Sequence, residues 1–205
     1  PDHHKRARNT VSPRAAGDGV GAALRSRRFI LFWLASFILS LGLFVPFVHL
    51  VPYAIDRNLG ADTGVLLLSL IGLGSTTGRF VLAGLADRFG RKRSLTLMFA
   101  GVGAMDLIWL AHPSEPGLYL FAVIFGLCYG GYVGTAPSVT ADMFGTRMLS
   151  SILGWLYTSV AVGTLVGPPL AGRAFDAFQS YDLPILVGSI CGVLAAGTML
   201  LIDPK

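Results

Sequence analysis

The sequence predicts an all-α membrane protein of six transmembrane helices, and three observations carry that prediction. Apolar residues make up 53% of the chain and charged residues 13%, with a mean hydropathy of +0.66, more than a soluble domain of this size needs. Six apolar runs are each long enough to cross a hydrocarbon core of about 30 Å, which takes about 20 helical residues. The connections between them span only a few residues, too little for a catalytic domain outside the membrane. In lipid every backbone group must pair within its own segment, and no run shows the short alternation of a barrel strand, so each reads as a helix.

Residues 1–28 form a basic segment rich in Arg, Ala, Gly, Pro and Ser. It has too little apolar surface to fold alone and reads as a flexible cytoplasmic linker that sets topology or meets anionic headgroups. The six-helix bundle then occupies residues 29–203. Its first span, 29–54, starts behind that long polar stretch, which argues against a cleaved signal peptide. The second, 63–86, carries Gly74 and Gly78; the third covers 94–111; the fourth, 118–143, carries Gly126, Gly130 and Gly134. The fifth, 148–175, has Gly163 and Gly167, and the sixth, 183–202, Gly188 and Gly192. Small residues four apart let helix backbones approach closely, as membrane helices require. Pro46, Pro52, Pro137, Pro168, Pro169 and Pro184 are expected to interrupt or bend their spans. Cys128 and Cys191 fall inside spans and read as small apolar fillers, pointing to neither disulfide nor metal.

Cations sort by side. Lys5, Arg6, Arg8, Arg14, Arg25, Arg27, Arg28, Arg88, Arg91, Lys92, Arg93, Arg147 and Lys205 fall on one side, Arg57 and Arg173 on the other. The positive-inside rule makes the first side cytoplasmic, with both termini there, in a cell (inner) membrane. The net charge of +5 is divided by side rather than gathered on a face, so nucleic-acid binding is excluded.

Arg79 is the sharpest candidate for chemistry. It lies eight positions before Asp87, about 12 Å inside the boundary at about 1.5 Å per residue, where a cation is costly and faces protein or water. Gly72, Ser75, Thr76, Ala83 and Ala86 share its face, so it is expected to point into the bundle. Two readings stand: a forked grip on a substrate carboxylate, or an internal ion pair with a carboxylate such as Asp106 or one in an unseen partner. Asp106 itself reads as a coupling-proton site, as that partner of Arg79, or as a residue close to the outer mouth. His49 either serves substrate or a titration step, or packs against a backbone carbonyl. Tyr129 and Tyr132, deep among Gly126, Gly130, Gly131 and Gly134, are pocket candidates. Tyr53, Trp155 and Tyr157 read as pocket or interfacial residues. No cofactor or metal is predicted.

Between the second and third spans, Asp87, Arg88, Gly90, Arg91, Lys92 and Arg93 form a charged turn able to latch helix ends through ion pairs, or simply to fix topology. The stretch 83–93 resembles the signature loop G-x-L-A-D-R-x-G-R-R-R of the major facilitator superfamily, with Ala83 in place of the first glycine. That resemblance implies that the six helices are one half of a twelve-helix bundle, partnered by an N-terminal six-helix half outside this chain. Residues 42–60, 69–95 and 142–181 are similar to the monocarboxylate and oxalate transporter branch, where the arginine matching Arg79 binds the substrate carboxylate. With only Arg173 as a further cation in the fifth span, the resemblance implies a monocarboxylate. The function expected is secondary active transport of small organic anions across the lipid bilayer, by proton symport or anion exchange. A non-transporting scaffold or sensor is the alternative. An intramembrane hydrolase is remote, because Ser75 lacks an elbow motif and a paired histidine.

Overall fold

The computed structural model describes residues 13–203, with side chains from residue 19 onward. Lys5, Arg6, Arg8 and Lys205 lie outside the described residues. Among those described, eight helices occur in order: α1 Pro13–Leu24, α2 Arg27–Leu43, α3 Val45–Asp56, α4 Ala61–Phe89, α5 Arg91–Leu110, α6 Glu115–Phe144, α7 Leu149–Phe178 and α8 Asp182–Leu200. α1 is a departure: a helix runs through a segment whose composition reads as a flexible linker.

α2 and α3 together make one 30-residue span, Arg27–Asp56, broken at Phe44. Pro46, in the first turn of α3, has no N–H, and its ring would crowd the carbonyl four residues back. Phe44 turns its N–H onto the Gly42 carbonyl instead. Among the described residues six spans are long and apolar enough to cross a membrane, making this a multi-pass membrane protein. Pro52, Pro137, Pro168 and Pro169 lie inside uninterrupted helices, and Pro184 sits in the first turn of α8. Only Pro46 among these coincides with a break, so the expectation of interruption is corrected at the other five prolines.

The combined α2–α3 span, α4 and α6 overrun the predicted spans at both ends, α7 at its C-terminal end and α5 and α8 at their N-terminal ends, where polar residues continue the helix beyond the apolar stretch. The charged turn is consequently almost all helix. α4 ends at Gly90, whose φ of +96° suits glycine, and α5 begins at the next residue.

The glycine pattern becomes the packing pattern. Gly74 and Gly78 of α4 meet the α6 backbone at residues 123–131, and an ideal Cβ at Gly130 would stand 1.9 Å from the Ser75 carbonyl oxygen. Gly163 and Gly167 of α7 bring that helix onto α2, while Gly42, Gly103, Gly188 and Gly192 close the α2, α5 and α8 contacts. Between these seams lies an apolar core in which Phe121 bridges Trp109 and Phe125 at ring separations of 5.4 Å.

Candidate substrate-binding site

The α4–α6 seam fixes the direction of Arg79. Because α4 turns Gly74, Ser75 and Gly78 toward α6, the Arg79 backbone lies against Gly134 while its residue stays exposed. Its guanidinium makes no hydrogen bond or ion pair among the described residues. The expectation that it points into this bundle is thus corrected: the interior face of α4 is taken by the small residues. Asp106 is not its partner either.

Tyr129 of α6 is half-buried, its ring edge-on to Phe44 at 6.0 Å and Phe47 at 5.5 Å. Tyr132 goes elsewhere. It is 2% exposed and packs edge-on against Phe99 of α5 at 5.1 Å, its hydroxyl without a hydrogen-bond partner among the described residues. Three residues along a helix leave a rotation of about 60°. Around a helix packed on several neighbours, that separates the aromatic surface of α3 from the core, so the structure does not join the two tyrosines in one pocket.

His49 lines an open cavity of about 510 Å³ between α3 and α7, walled by Phe44, Phe47, Thr164, Leu165 and Pro169. Its Nε2 donates to the Pro168 carbonyl at 3.1 Å, and the ring lies 5.9 Å from that of Tyr181. Of the two sequence readings, packing against a carbonyl is the one seen. Phe44, Phe47 and Thr164 were not singled out from sequence, although the break before Pro46 was the available signal for the first two.

Asp106 is 2% exposed and both its carboxylate oxygens lack hydrogen-bond partners among the described residues. It sits where α5 meets the Gly42–Gly188 crossing, one oxygen 3.1 Å from where a Cβ on Gly188 would stand. A carboxylate so placed is costly.

At the charged turn, Arg91 holds two carboxylates from different helices, Asp87 at 2.6 Å and Asp142 at 2.8 Å. Lys92 donates to the Ile202 carbonyl. Arg88 and Arg93 are exposed and form no ion pair among the described residues. Asp142 was missed from sequence; an acidic side chain in the last turn of α6, where the helix dipole disfavours it, was the clue to a cationic partner. At the opposite end, His112 joins three elements: Nε2 donates to Asp182 at 2.9 Å, and Nδ1 is hydrogen-bonded to the Tyr53 hydroxyl at 3.3 Å. Arg57 lies over the Tyr53 ring at 5.9 Å. Nearby Tyr181 has its pKa raised by burial first, and then by Asp56 and Asp176. No cluster able to hold a metal occurs among the described residues.

Two features are thus joined in one chain: a charged turn that clamps three helix ends, and an unpaired arginine on the helix leading into it. Residues 32–205 match the family model described as Major Facilitator Superfamily. The chain belongs to the major facilitator superfamily. This is a family of transporters rather than enzymes, and the six spans fit one half of its twelve-helix bundle. Among curated relatives, monocarboxylate transporter 12-B of Danio rerio is 37% identical across 70% of this chain and 31% of its own. Human monocarboxylate transporter 12 is 35% identical across 80% and 32%, and rat monocarboxylate transporter 3 is 33% identical across 86% and 38%. The chain therefore spans about a third of the length of these relatives.

Proposed function

We propose that this bundle is the substrate-gripping half of a secondary active transporter for small monocarboxylates, working by alternating access against a second six-helix bundle. The observation that carries the reading is Arg79, a guanidinium inside a membrane span with no protein partner among the described residues. Such a cation is too costly to keep there without an anion or water, and its fork matches a carboxylate. The relatives' names, monocarboxylate transporters, favour the same substrate class.

In this mechanism the exposed face of α4 looks onto the space between the two bundles. Arg79 takes the carboxylate there, and Tyr129 with Phe44 and Phe47 provides the apolar wall for the rest of the anion. Tyr132 and His49 support that wall from behind. Asp106 is the proton-coupling site, acting through the α2–α5–α8 crossing rather than by touching substrate. The Arg91 clamp holds the ends of α4, α5 and α6 as one unit while the bundles rock. The membrane is the cell (inner) membrane, with both termini cytoplasmic.

Uptake of a radiolabelled monocarboxylate by the full-length protein tests this. Saturable uptake of the monocarboxylate, not inhibited by a dicarboxylate and lost in Arg79→Ala, is the expected result. Unchanged flux in Arg79→Ala would overturn the assignment.

A further inference from the structure

At the end of the bundle that carries the charged turn, α1, α2, α6 and α8 leave between them a cavity of about 390 Å³ that the transport mechanism does not use. Its walls differ in kind. Arg27 and Arg28, in the first turn of α2, supply cations, while Leu31, Met143, Phe144, Leu201 and Ile202 supply an apolar side. Neighbouring polar groups are already committed. Ser26 Oγ accepts from the Phe29 N–H and donates to the Ala23 carbonyl, and Lys92 is spent on the Ile202 carbonyl. Asp203 on the rim meets Arg27 at 3.4 Å with both side chains at least 70% exposed, an arrangement that contributes little. Arg28 is half-buried and has no hydrogen bond or ion pair among the described residues.

We propose that this cavity binds the headgroup of an anionic phospholipid from the leaflet at the cationic end of the bundle. Arg28 and Arg27 hold the lipid phosphate, and the glycerol end of the acyl chains lies along Leu31, Phe144 and Leu201. Charge and shape both point to a lipid: two cations against one exposed carboxylate, beside an apolar wall continuous with membrane-spanning helices. Basic pockets between helix ends take such headgroups, at about 1 kcal/mol per cation near the surface, or about fivefold in binding. The site also gives α1 a place, since Gly19 lies against Met148, the residue before α7, and Ala23 lines the cavity beside the arginines.

The test uses the full-length protein in detergent, titrated with phosphatidylglycerol, phosphatidylcholine or inorganic phosphate while thermal stability and retained lipid by native mass spectrometry are recorded. Phosphatidylglycerol should stabilise the protein and be retained, phosphatidylcholine much less. Arg28→Gln should weaken retention about fivefold, the double variant R27Q/R28Q more, and Arg173→Gln, an exposed cation towards the other end of α7, should leave it unchanged. Arg28→Lys, which keeps the charge, should recover part of the binding and guards against a folding defect. Equal retention in R27Q/R28Q and the parent overturns the proposal. Stabilisation by inorganic phosphate alone, lost in the same variants, overturns it in favour of a free-anion site.

Discussion

Replacing Gly130 by alanine adds one methyl group at the closest approach in the bundle. The new Cβ would stand 1.9 Å from the Ser75 carbonyl oxygen and 2.6 Å from its carbonyl carbon and Cα. Ordinary contact begins near 3.4 Å, so the α6 backbone must retreat from α4 by about 1.5 Å. The obstruction is backbone, so no rotamer change relieves it. A gap of 0.5–1 Å already forfeits roughly a quarter to a half of the dispersion well for each atom pair, and Gly74, Gly78, Gly126 and Gly134 share the seam. Overpacking typically costs about 1–3 kcal/mol, and this site belongs at the upper end. Equilibrium unfolding in mixed detergent micelles measures it against Gly197→Ala, an exposed helical position on α8 with no atom within 4 Å of the added Cβ. That control should be neutral or gain up to about 1 kcal/mol from helix propensity. A Gly130→Ala stability within about 0.5 kcal/mol of the parent would refute the claim that this seam holds the bundle.

Asp106→Asn should preserve thermal stability, since it removes a buried carboxylate without hydrogen-bond partners, while uptake by the full-length protein loses its dependence on external pH; a stable variant with the parent pH profile removes Asp106 from coupling. His49→Gln should retain uptake because an amide can still donate to the Pro168 carbonyl, whereas His49→Ala should destabilise by about 0.5–1.5 kcal/mol, read by thermal unfolding. Arg91→Ala should barely shift the unfolding midpoint at high salt, its partners being solvent-exposed, yet cysteines placed at the α4 and α6 ends should crosslink more slowly.

Helix number and approximate position were legible because apolar length is a direct consequence of bilayer thickness. The seams were legible too, since glycines four apart have few other uses in an apolar helix. The break at Phe44 was only half legible: Pro46 announced it, but Pro52, Pro137, Pro168 and Pro169 give the same signal and leave their helices uninterrupted, because tertiary packing decides which helix yields. Arg79 could be found as a cation at depth, but its direction could not. Small residues on its flank admit two meanings, a polar cavity face or a close helix contact, and α4 uses Gly74, Ser75 and Gly78 for the second. The Arg91–Asp142 pair joins residues 51 apart, and only the α4–α6 register brings them together.

The central claim is that Arg79 grips the carboxylate through its fork rather than by charge alone. Monocarboxylate binding to the purified full-length protein, measured by isothermal titration on the parent, Arg79→Lys and Arg79→Ala, tests it most directly. The account predicts that binding is lost in Arg79→Ala and weakened at least about tenfold in Arg79→Lys, since a point charge cannot reproduce a bidentate geometry. Parent-like affinity in Arg79→Lys would contradict the fork, and parent-like affinity in Arg79→Ala would contradict any role of Arg79 in binding.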